Sequence, residues 1–430
     1  MRQMINLGLI GLGTVGGGVV RVLRDNLTLI EARVGVPVRL KKVCDLNLDQ
    51  AKGLGLNTDQ LTTRAEEVVT DPEIDIVIEL IGGYEPARTF ILEAIKHGKQ
   101  VVTANKALLA KYWGEVMSAA SEYKVGLGFE ASVGGGIPLL SSIQTGLAAN
   151  RIESIFGIIN GTCNYILTTM ESQGKEFYEV LAEAQAKGYA EADPSLDIEG
   201  IDTAHKTIIL ASLAFGQWVK MEEVYTEGIS RLTPADITYA REFGYTIKLL
   251  GIAREEEGEL DVRVHPVLLP RQHWLTSVDG VYNAVYCRGS LTGPLLFSGQ
   301  GAGRFPTASA VVADCIALAR DLLAGQVRLP LRPGDKPKHI KGISKIKSRY
   351  YIRFSALDQP GVLAEISGIL GRYGISIASV IQKERRTKDV VPVIMLTHEA
   401  LEQDIQAALS EIDQLTVIKD KSLLIRIEER

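Results

Sequence analysis

The chain has 430 residues, and at roughly 150 residues per domain this length predicts about three domains. Hydrophobic residues make up 46% of the chain and charged residues 23%, which is typical of globular proteins rather than disordered or fibrous ones. The net charge of -5 argues against a large basic surface for nucleic acid. Four cysteines lie far apart without a CxxC pair, so the sequence indicates neither a structural zinc site nor a disulfide framework.

The chain has no segment suited to crossing a membrane. Its most apolar stretch, residues 207–219, falls short of the roughly 20 residues that a membrane-spanning helix needs. The first residues lack the long apolar core and the small-residue cleavage site of a secretory signal. We therefore expect a cytoplasmic protein that has neither membrane nor nucleic-acid partners.

Short β-branched runs alternate with amphipathic stretches in residues 1–137. The predicted strands are residues 5–10, 40–44, 74–80 and 100–103, and the predicted helices are residues 14–26 and 87–97. This alternation is typical of a parallel sheet that helices cover on both faces. The first domain is therefore predicted to have an α/β fold.

A mixed pattern follows in residues 138–329 and predicts a central α+β domain. Its expected helices are residues 177–187 and 202–215, and its expected strands are residues 152–159 and 260–268. A further helix at residues 307–325 is expected to pack back on the first domain. Residues 330–348 are rich in lysine, proline and glycine without a sustained apolar period, which predicts a linker with a solvated charged face.

A small α/β cycle is predicted in residues 349–430. Its elements are, in order, a strand at 350–355, a helix at 362–373, strands at 375–383 and 390–397, a helix at 401–412 and a strand at 416–427. The order βαββαβ is that of the ferredoxin-like arrangement. We therefore expect a separate, ferredoxin-like C-terminal domain.

Three glycines, Gly11, Gly13 and Gly16, directly follow the first predicted strand and begin a helix. In a dinucleotide-binding turn the first permits the tight bend, the second lets the backbone approach the pyrophosphate, and the third lets helix and strand pack closely. The N-terminus of the helix adds free N–H groups and a positive dipole for the phosphates. The pattern predicts a Rossmann-like NAD(P) site, against the alternative of a glycine-rich turn without a ligand.

Asp45 ends the second predicted strand, where such domains place the carboxylate that binds the ribose. It lies further from the glycines than the usual ~20 residues, because residues 28–38 have the character of an insertion. The carboxylate favours NAD, since it would repel a 2′-phosphate, whereas Lys41 and Lys42 nearby would weaken that repulsion. The choice between NAD and NADP stays open.

Lys106 follows the predicted strand at residues 100–103. Ligands of open α/β sheets lie beyond the carboxyl ends of the strands, which would place this lysine near the nicotinamide. The alternative is a surface lysine at the start of a helix.

The segment from Gly188 to Lys206 carries the densest set of chemical groups. Asp202 and Lys206 are four residues apart on one helix face, where a plain ion pair is the simplest interpretation. The helix beyond Lys206 is apolar almost all round, however, which predicts burial. Burial can lower the pKa of a lysine toward the operating range of an acid/base. His205 beside it is expected to pack or cap rather than to bind a ligand.

Several motifs, in collinear order over about residues 5–325, resemble those of homoserine dehydrogenase. They are Val102-Thr103-Ala104-Asn105-Lys106, Glu130 through Pro138, Asn160 through Leu167, the run through Gly188, Asp193-Pro194, Asp197, Gly200, Asp202 and Lys206, and Gly301-Ala-Gly303 before Pro306-Thr307-Ala308. The agreement of separate motifs in order makes the resemblance specific to this family.

The resemblance implies that L-aspartate 4-semialdehyde and L-homoserine are interconverted with a nicotinamide cofactor, on the route to threonine, methionine and isoleucine. It implies that Lys206 is the acid/base on the aldehyde oxygen and that Lys106 assists beside the nicotinamide. Hydride transfer to an aldehyde develops alkoxide charge, which a lysine ammonium stabilises and protonates. Glu191, facing the substrate amino group, and Asp202 would hold the substrate, with support from Asp197.

The resemblance also implies a set of residues that line the dinucleotide. They are Gly11, Gly13, Thr14, Val15, Gly16, Asp45, Thr103, Lys106 and Gly303. Family members that take NADPH often carry a basic residue just before the acidic one. Cys44 has that place here, which argues against a strong preference for NADPH.

Glu130 and the glycine-rich residues after it resemble the monovalent-cation loop of the family. The resemblance implies that the Glu130 carboxylate and the main-chain oxygens of Val133, Gly135 and Ile137 hold Na⁺ or K⁺. Glycines let carbonyl groups converge on one point, and hard cations prefer such oxygens. From the residues alone the loop would be interpreted as a flexible hinge between domains.

Cys163 suggests a different chemistry, that of a thioester-forming semialdehyde dehydrogenase. Such a thiol needs an activating base, and its sequence neighbours supply none. The alternative to the main hypothesis is therefore another amino-acid or semialdehyde oxidoreductase on the same scaffold. A nucleotide-sensing module without catalysis is a weaker alternative, because it leaves Glu191 and Lys206 without a role.

The loop from Leu357 to Ala364 resembles that of the ACT domain, a small-molecule sensor on enzymes of amino-acid biosynthesis. The resemblance implies that amides at Gly361 and Val362 take an amino-acid carboxylate, while Asp358 takes the amino group. L-Threonine is the expected effector, and a dimerisation module without a ligand is the alternative. The central and C-terminal domains both offer dimer surfaces, so we expect a homodimer or a homotetramer.

Overall fold

The computed structural model describes residues 2–327, 337–383 and 390–429. Part of the predicted linker, residues 330–336, lies outside these ranges. The strands are β1 (Ile5–Ile10), β2 (Val38–Cys44), β3 (Leu61–Thr62), β4 (Ile76–Glu79), β5 (Gln100–Thr103), β6 (Leu127–Gly128), β7 (Ile152–Ile158), β8 (Tyr225–Thr226), β9 (Tyr245–Glu256), β10 (Glu259–Pro270), β11 (Tyr282–Gly289), β12 (Gly293–Gln300), β13 (Lys347–Leu357), β14 (Ile377–Gln382), β15 (Val390–Thr397), β16 (Ala400–Leu401) and β17 (Ile418–Ile427).

The helices vary from single turns to one of 20 residues. They are α1 (Thr14–Asp25), α2 (Leu27–Val34), α3 (Glu66–Val69), α4 (Ala87–Lys96), α5 (Lys106–Tyr123), α6 (Gly161–Gln173), α7 (Phe177–Ala186), α8 (Ser195–Ile198), α9 (Ile201–Phe215), α10 (Pro234–Glu242), α11 (Arg304–Leu323), α12 (Val362–Arg372) and α13 (Glu402–Ile412). Among the described residues, each helix is too short or too polar to cross a bilayer.

The chain forms two compact units that alternate along the sequence. The first takes the described residues within Met1–Ile159, Ala204–Glu222 and Tyr282–Lys338. The second takes those within Asn160–Thr203, Glu223–Val281 and His339–Arg430.

A six-stranded parallel sheet forms the core of the first unit, in the order β3-β2-β1-β4-β5-β6. Strands β4 and β5 are buried along their whole length, because helices cover both faces of the sheet. The Rossmann-like fold predicted from the sequence is thereby confirmed. The predicted insertion is helix α2, which ends at Gly35 in the left-handed conformation (φ 97°) and displaces β2 along the chain.

Helix α11 packs against α1 on one face of this sheet. A Cβ atom at Gly18 would lie 2.9 Å from the main-chain oxygen of Arg304, so the glycine lets the two helices approach closely. Val311, Cys315 and Leu318 join the same hydrophobic cluster as Leu9 of β1.

Strands β7, β11 and β12 form an antiparallel set in the first unit, with Phe156 opposite Tyr286 and Val285 opposite Phe297. Sequence analysis missed β11 and β12. The second unit contains a long hairpin of β9 and β10, joined at Glu257 and Gly258 with positive φ angles of 54° and 83°. Strand β9 was also missed, because it is buried along most of its length and lacks an alternating pattern.

The C-terminal elements form the sheet β17-β13-β15-β14, and α12 and α13 pack on it. The predicted ferredoxin-like order is confirmed, with element ends within a few residues of those predicted. The described part of the predicted linker lies against β10, where the Lys341 amide donates to Leu260 (2.7 Å) and the Leu260 amide donates to His339 (2.9 Å).

Candidate active site

The three predicted glycines of the turn between β1 and α1 differ in their steric environment. Gly11 has a φ of 103°, in the left-handed region that favours glycine. A Cβ atom at Gly16 would lie 1.9 Å from the main-chain oxygen of Gly11, so this position must be glycine. A Cβ atom at Gly13 would meet nothing within 4 Å. The turn is therefore tight inside and open at Gly13, as an incoming pyrophosphate requires.

Asp45 lies beside this turn. Its carboxylate accepts hydrogen bonds from the amides of Leu12 (2.5 Å) and Asn47 (2.8 Å). Cys44 before it is buried, and burial raises the pKa of its thiol to about 11, so the thiol is neutral. The structure therefore places the predicted ribose carboxylate next to the phosphate-binding turn.

The two lysines before Asp45 pair with other carboxylates. Lys41 Nζ bonds to Asp71 (2.7 Å) and to Glu73 (2.6 Å). Lys42 Nζ lies 3.7 Å from Glu67. Both ammonium groups therefore already lie beside carboxylates of the protein.

A buried carboxylate that sequence analysis missed orders the start of α5. Glu79, at the end of β4, accepts from the Thr103 hydroxyl (2.7 Å) and from the Ile81 amide (2.8 Å). Burial raises the pKa of Glu79. The Thr103 hydroxyl accepts from the Asn105 amide (3.0 Å), and Asn105 caps the helix that begins at Lys106. The sequence feature that could have identified Glu79 is an acidic residue at the end of an apolar strand.

Lys206 lies in the first turns of α9 and is half-buried. Its Nζ donates a 2.7 Å hydrogen bond to the main-chain oxygen of Ile159, just after β7. The residues that follow, Ile208 to Leu210, are at most 1% exposed. The predicted burial of this apolar helix is confirmed, and it leaves Lys206 at the edge of the core.

Asn160 joins two of the predicted substrate carboxylates. Its Nδ2 donates to Asp197 (2.6 Å) and to Asp202 (2.8 Å), while its Oδ1 caps α6 by accepting from the Cys163 amide (2.8 Å). Asn160 and Asp202 are buried. The sequence predicted both carboxylates but gave Asn160 no role, although it begins one of the recognised motifs. Glu191 is exposed on the preceding loop.

Cys163 is fully buried, and its thiol donates to the main-chain oxygen of Asp197 (3.1 Å). The thiol of Cys163 therefore takes part in a structural hydrogen bond. All four cysteines are reduced and buried.

Glu130 is buried in the loop predicted to hold a cation. Its carboxylate accepts from the amides of Leu140 (2.8 Å) and Ser141 (2.7 Å). Gly135 has a φ of 56° and lies against the main chain of Gly301, where a Cβ atom would be 2.6 Å away. The buried carboxylate and glycine-rich backbone fit the oxygen donors that a hard cation requires. The described residues contain no cluster of three or more histidine, cysteine or acidic side chains suited to a metal.

The remaining predicted sites lie at helix starts. Gly303 precedes α11 with a φ of 120°, and Gly361 precedes α12 with a φ of 96° and no side-chain cap. Asp358 accepts from Gln382 Nε2 at 3.5 Å. The first amides of α12 therefore have no capping side chain, which suits an anion.

A parallel sheet with an open glycine turn, a carboxylate beside that turn and lysines near helix starts is typical of a dinucleotide-dependent oxidoreductase. Residues 11–130 match the family model described as "Homoserine dehydrogenase, NAD binding domain", residues 138–316 match "Homoserine dehydrogenase", and residues 350–417 match "ACT domain". The homoserine dehydrogenase of Pseudomonas aeruginosa is 45% identical over 99% of both chains. The chain belongs to the homoserine dehydrogenase family.

Solved structures agree with this assignment. The crystal structure of a homoserine dehydrogenase from Thiobacillus denitrificans has a TM-score of 0.93 and 48% identity, covering 99% of this chain and 98% of that one. A hyperthermophilic archaeal homoserine dehydrogenase mutant, solved in complex with NADPH, has a TM-score of 0.62 and 27% identity, covering 73% of this chain and 97% of that one. The predicted NAD(P)-dependent homoserine dehydrogenase with a C-terminal ACT domain is confirmed at the level of the family.

Proposed function

We propose that the chain interconverts L-aspartate 4-semialdehyde and L-homoserine, within the biosynthesis of threonine, methionine and isoleucine. The observation that carries this proposal is the pair of carboxylates, Asp197 and Asp202, held on the amide of Asn160. Both compounds carry an amino group that two acidic side chains would attract. Lys206, one helical turn beyond Asp202, supplies the cation that the developing alkoxide requires.

Lys206 acts as the proton donor in the reducing direction. A reduced dinucleotide, when bound, would supply a hydride to the aldehyde carbon. The Lys206 ammonium stabilises the negative charge on the oxygen and gives it a proton, which leaves the neutral amine and the alcohol. The Ile159 oxygen orients the ammonium group before the substrate arrives, because it fixes one of its three N–H donors.

Lys106 assists at the start of α5, where the buried Glu79 and the Thr103 hydroxyl fix the backbone. Glu191, which faces the substrate amino group, and Asp202 hold the substrate, and Asp197 supports them. The dinucleotide is held by Gly11, Gly13, Thr14, Val15, Gly16, Asp45, Thr103, Lys106 and Gly303. Asp45 and the paired state of Lys41 and Lys42 favour NAD over NADP, because a 2′-phosphate would meet an uncompensated carboxylate.

The loop around Glu130 holds Na⁺ or K⁺ through its carboxylate and the main-chain oxygens of Val133, Gly135 and Ile137. A cation there stabilises the glycine-rich backbone rather than taking part in proton transfer. The melting temperature of the parent should therefore rise when K⁺ is added, and the rise should be smaller in Glu130→Gln. A variant that K⁺ stabilises as strongly as the parent would contradict this part of the proposal.

The ACT domain binds an amino-acid effector, L-threonine by its pathway position, through Asp358 and the amides at Gly361 and Val362. Comparing threonine inhibition of the full chain and of a variant truncated near residue 329 tests this assignment. Equal inhibition of both chains would contradict it. The domains proposed are residues 1–137, 138–329 and 349–430 with a linker at 330–348, in a cytoplasmic homodimer or homotetramer.

One assay tests the main proposal: initial rates of homoserine oxidation with NAD and with NADP, each with and without K⁺ and threonine. The proposal predicts homoserine-dependent reduction of at least one dinucleotide. The absence of homoserine turnover with both would contradict it and would favour another oxidoreductase on this scaffold.

A further inference from the structure

Arg426 of β17 is the centre of a buried charged cluster in the second unit. Its guanidinium bonds to both oxygens of Glu402 (2.5 and 3.0 Å), to Glu227 (2.9 Å) and to the Tyr225 hydroxyl (3.3 Å). The side chains of Arg426 and Glu402 are 2% and 1% exposed, whereas Glu227 is 26% exposed. The Tyr225 hydroxyl in turn donates to Glu227 (2.8 Å), and the Tyr225 ring lies 4.9 Å from the Arg426 guanidinium.

The segment from Tyr225 to Ile229 connects this cluster to the proposed substrate-binding residues. Its β8 part pairs with β10, and the Glu227 amide donates to the Val264 oxygen (2.8 Å). Two residues further on, the Ile229 amide donates to the main-chain oxygen of Ile198 (2.8 Å). Ile198 directly follows Asp197.

The contact between this segment and residues 198–200 is close. A Cβ atom at Gly228 would lie 2.1 Å from the Ile198 oxygen and 2.4 Å from the Glu199 Cα. Gly200 has a φ of 82°, and a Cβ atom there would lie 3.3 Å from the Glu227 oxygen. Backbone packed at this distance transmits a displacement, because it has no side chain that could rotate out of the way.

We propose that Glu227 is a positioning residue through which Arg426 of the C-terminal sheet sets the backbone at residues 197–202, and with it the affinity for the amino-acid substrate. This inference rests on the proposed function of Asp197 and Asp202. Glu227 shares the 225–229 backbone with Gly228 and Ile229, which contact Ile198 and Glu199. The ion pair with Arg426 therefore fixes the same short segment that lies against residues 198–200.

The ion pair is suited to this role because Arg426 keeps a second carboxylate. When Glu227 loses its charge, Glu402 still neutralises the buried guanidinium, and the large penalty of an unpaired buried charge is avoided. The expected consequence is a shift of the 225–229 segment rather than unfolding of the C-terminal sheet.

The experiment compares the full-length parent with the variants Glu227→Gln and Glu429→Gln. Glu429 is the matched control, because its carboxylate bonds to Arg349 and Tyr245, which both lie outside the 225–229 segment. For each chain, kcat, the KM for homoserine and the KM for the dinucleotide are measured, together with the melting temperature. Tyr225→Phe is a second variant, since it removes only the hydroxyl that donates to Glu227.

We expect Glu227→Gln to raise the KM for homoserine by at least about fivefold, the lower end of usual coupling between sites, without changing the KM for the dinucleotide. Tyr225→Phe should raise the homoserine KM in the same direction, and Glu429→Gln should leave it unchanged. An unchanged homoserine KM in Glu227→Gln would overturn the inference, as would equal changes in both KM values. If Glu227→Gln does not fold, Tyr225→Phe decides by the same criterion. A parent without homoserine turnover would instead overturn the proposed function.

Discussion

The side-chain amide of Asn160 donates a 2.8 Å hydrogen bond to the carboxylate of Asp202, and both side chains are buried. Asn160 is also within 2.6 Å of Asp197, so a single amide nitrogen holds two carboxylates whose positions in the chain are unrelated. Asparagine is neutral, so it holds the two carboxylates close together without itself adding a positive charge. Two carboxylates at one point are chemically suited to attract the ammonium group of an amino-acid substrate.

Asp202→Asn should raise the KM for homoserine by roughly 10- to 100-fold, because a hydrogen bond to a charged group is lost. The dinucleotide KM should not change, since the glycine turn is unaffected. Steady-state kinetics with each substrate varied in turn measures both values. Asp193→Asn is the control, because the Asp193 carboxylate is exposed and bonds to Ser195 of its own loop. Similar homoserine KM values in the two variants would contradict the assignment.

The glycine turn allows a comparison of two substitutions with opposite expectations. Gly16→Ala should lower the free energy of unfolding by about 1–3 kcal/mol or more, because the new methyl group meets the Gly11 oxygen. Gly13→Ala should leave that free energy nearly unchanged and weaken dinucleotide binding, because its methyl group points into the space meant for the pyrophosphate. Denaturant unfolding and fluorescence titration with NADH measure the two effects. Unaltered NADH affinity in Gly13→Ala would refute the proposed cofactor position.

Cys163→Ser should retain homoserine oxidation at close to the parent rate. The thiol donates to a main-chain oxygen, and a hydroxyl can make the same contact. A thioester mechanism predicts complete loss of turnover in the same variant. The initial rate with saturating homoserine therefore separates the two chemistries, and loss of turnover in a folded Cys163→Ser protein would favour the alternative enzyme.

Stability should fall as the pH is lowered below 6.5, in part because of His265. Burial, and then the nearby Arg426 and Arg263, lower the pKa of this histidine well below the usual histidine value of 6.5. Below pH 6.5 the histidine therefore binds a proton in the unfolded chain but not in the folded chain. This difference lowers the free energy of unfolding by about 1.4 kcal/mol per pH unit until the pH reaches the folded-state pKa.

This contribution appears as a slope when the free energy of unfolding, measured with denaturant, is plotted against pH between 7.5 and 5. His265→Gln should flatten the slope, and His97→Gln, which changes a surface histidine, should not. Equal slopes in parent and His265→Gln would show that another group is responsible.

Local sequence patterns predicted the elements whose signals are short-range. Strand β1 was predicted at its observed bounds because an apolar run ends at a glycine turn, and β5 because it is a short run that contains three β-branched residues. Strand β9 could not be recognised, since burial on both faces removes the alternation on which strand prediction depends. The glycines and lysines of the site were predicted from motif spacing and from family resemblance.

The hydrogen-bonded partners of those residues could not be predicted. Asn160 meets Asp197 and Asp202 across 37 and 42 residues of sequence, and Glu79 meets Thr103 across 24. Such contacts depend on how strands and helices are packed, which no local pattern contains. The same holds for Glu227 and Arg426, which are 199 residues apart.

Lys206→Ala tests the central claim most directly, with Lys220→Ala, an exposed lysine beyond the same helix, as the control. The measurements are kcat for homoserine oxidation and the dissociation constant for NADH in each folded variant. We predict that kcat falls by roughly 10²- to 10⁴-fold in Lys206→Ala, the usual contribution of a general acid/base, while NADH affinity is unchanged. A Lys206→Ala protein that oxidises homoserine at the rate of the parent would contradict the account.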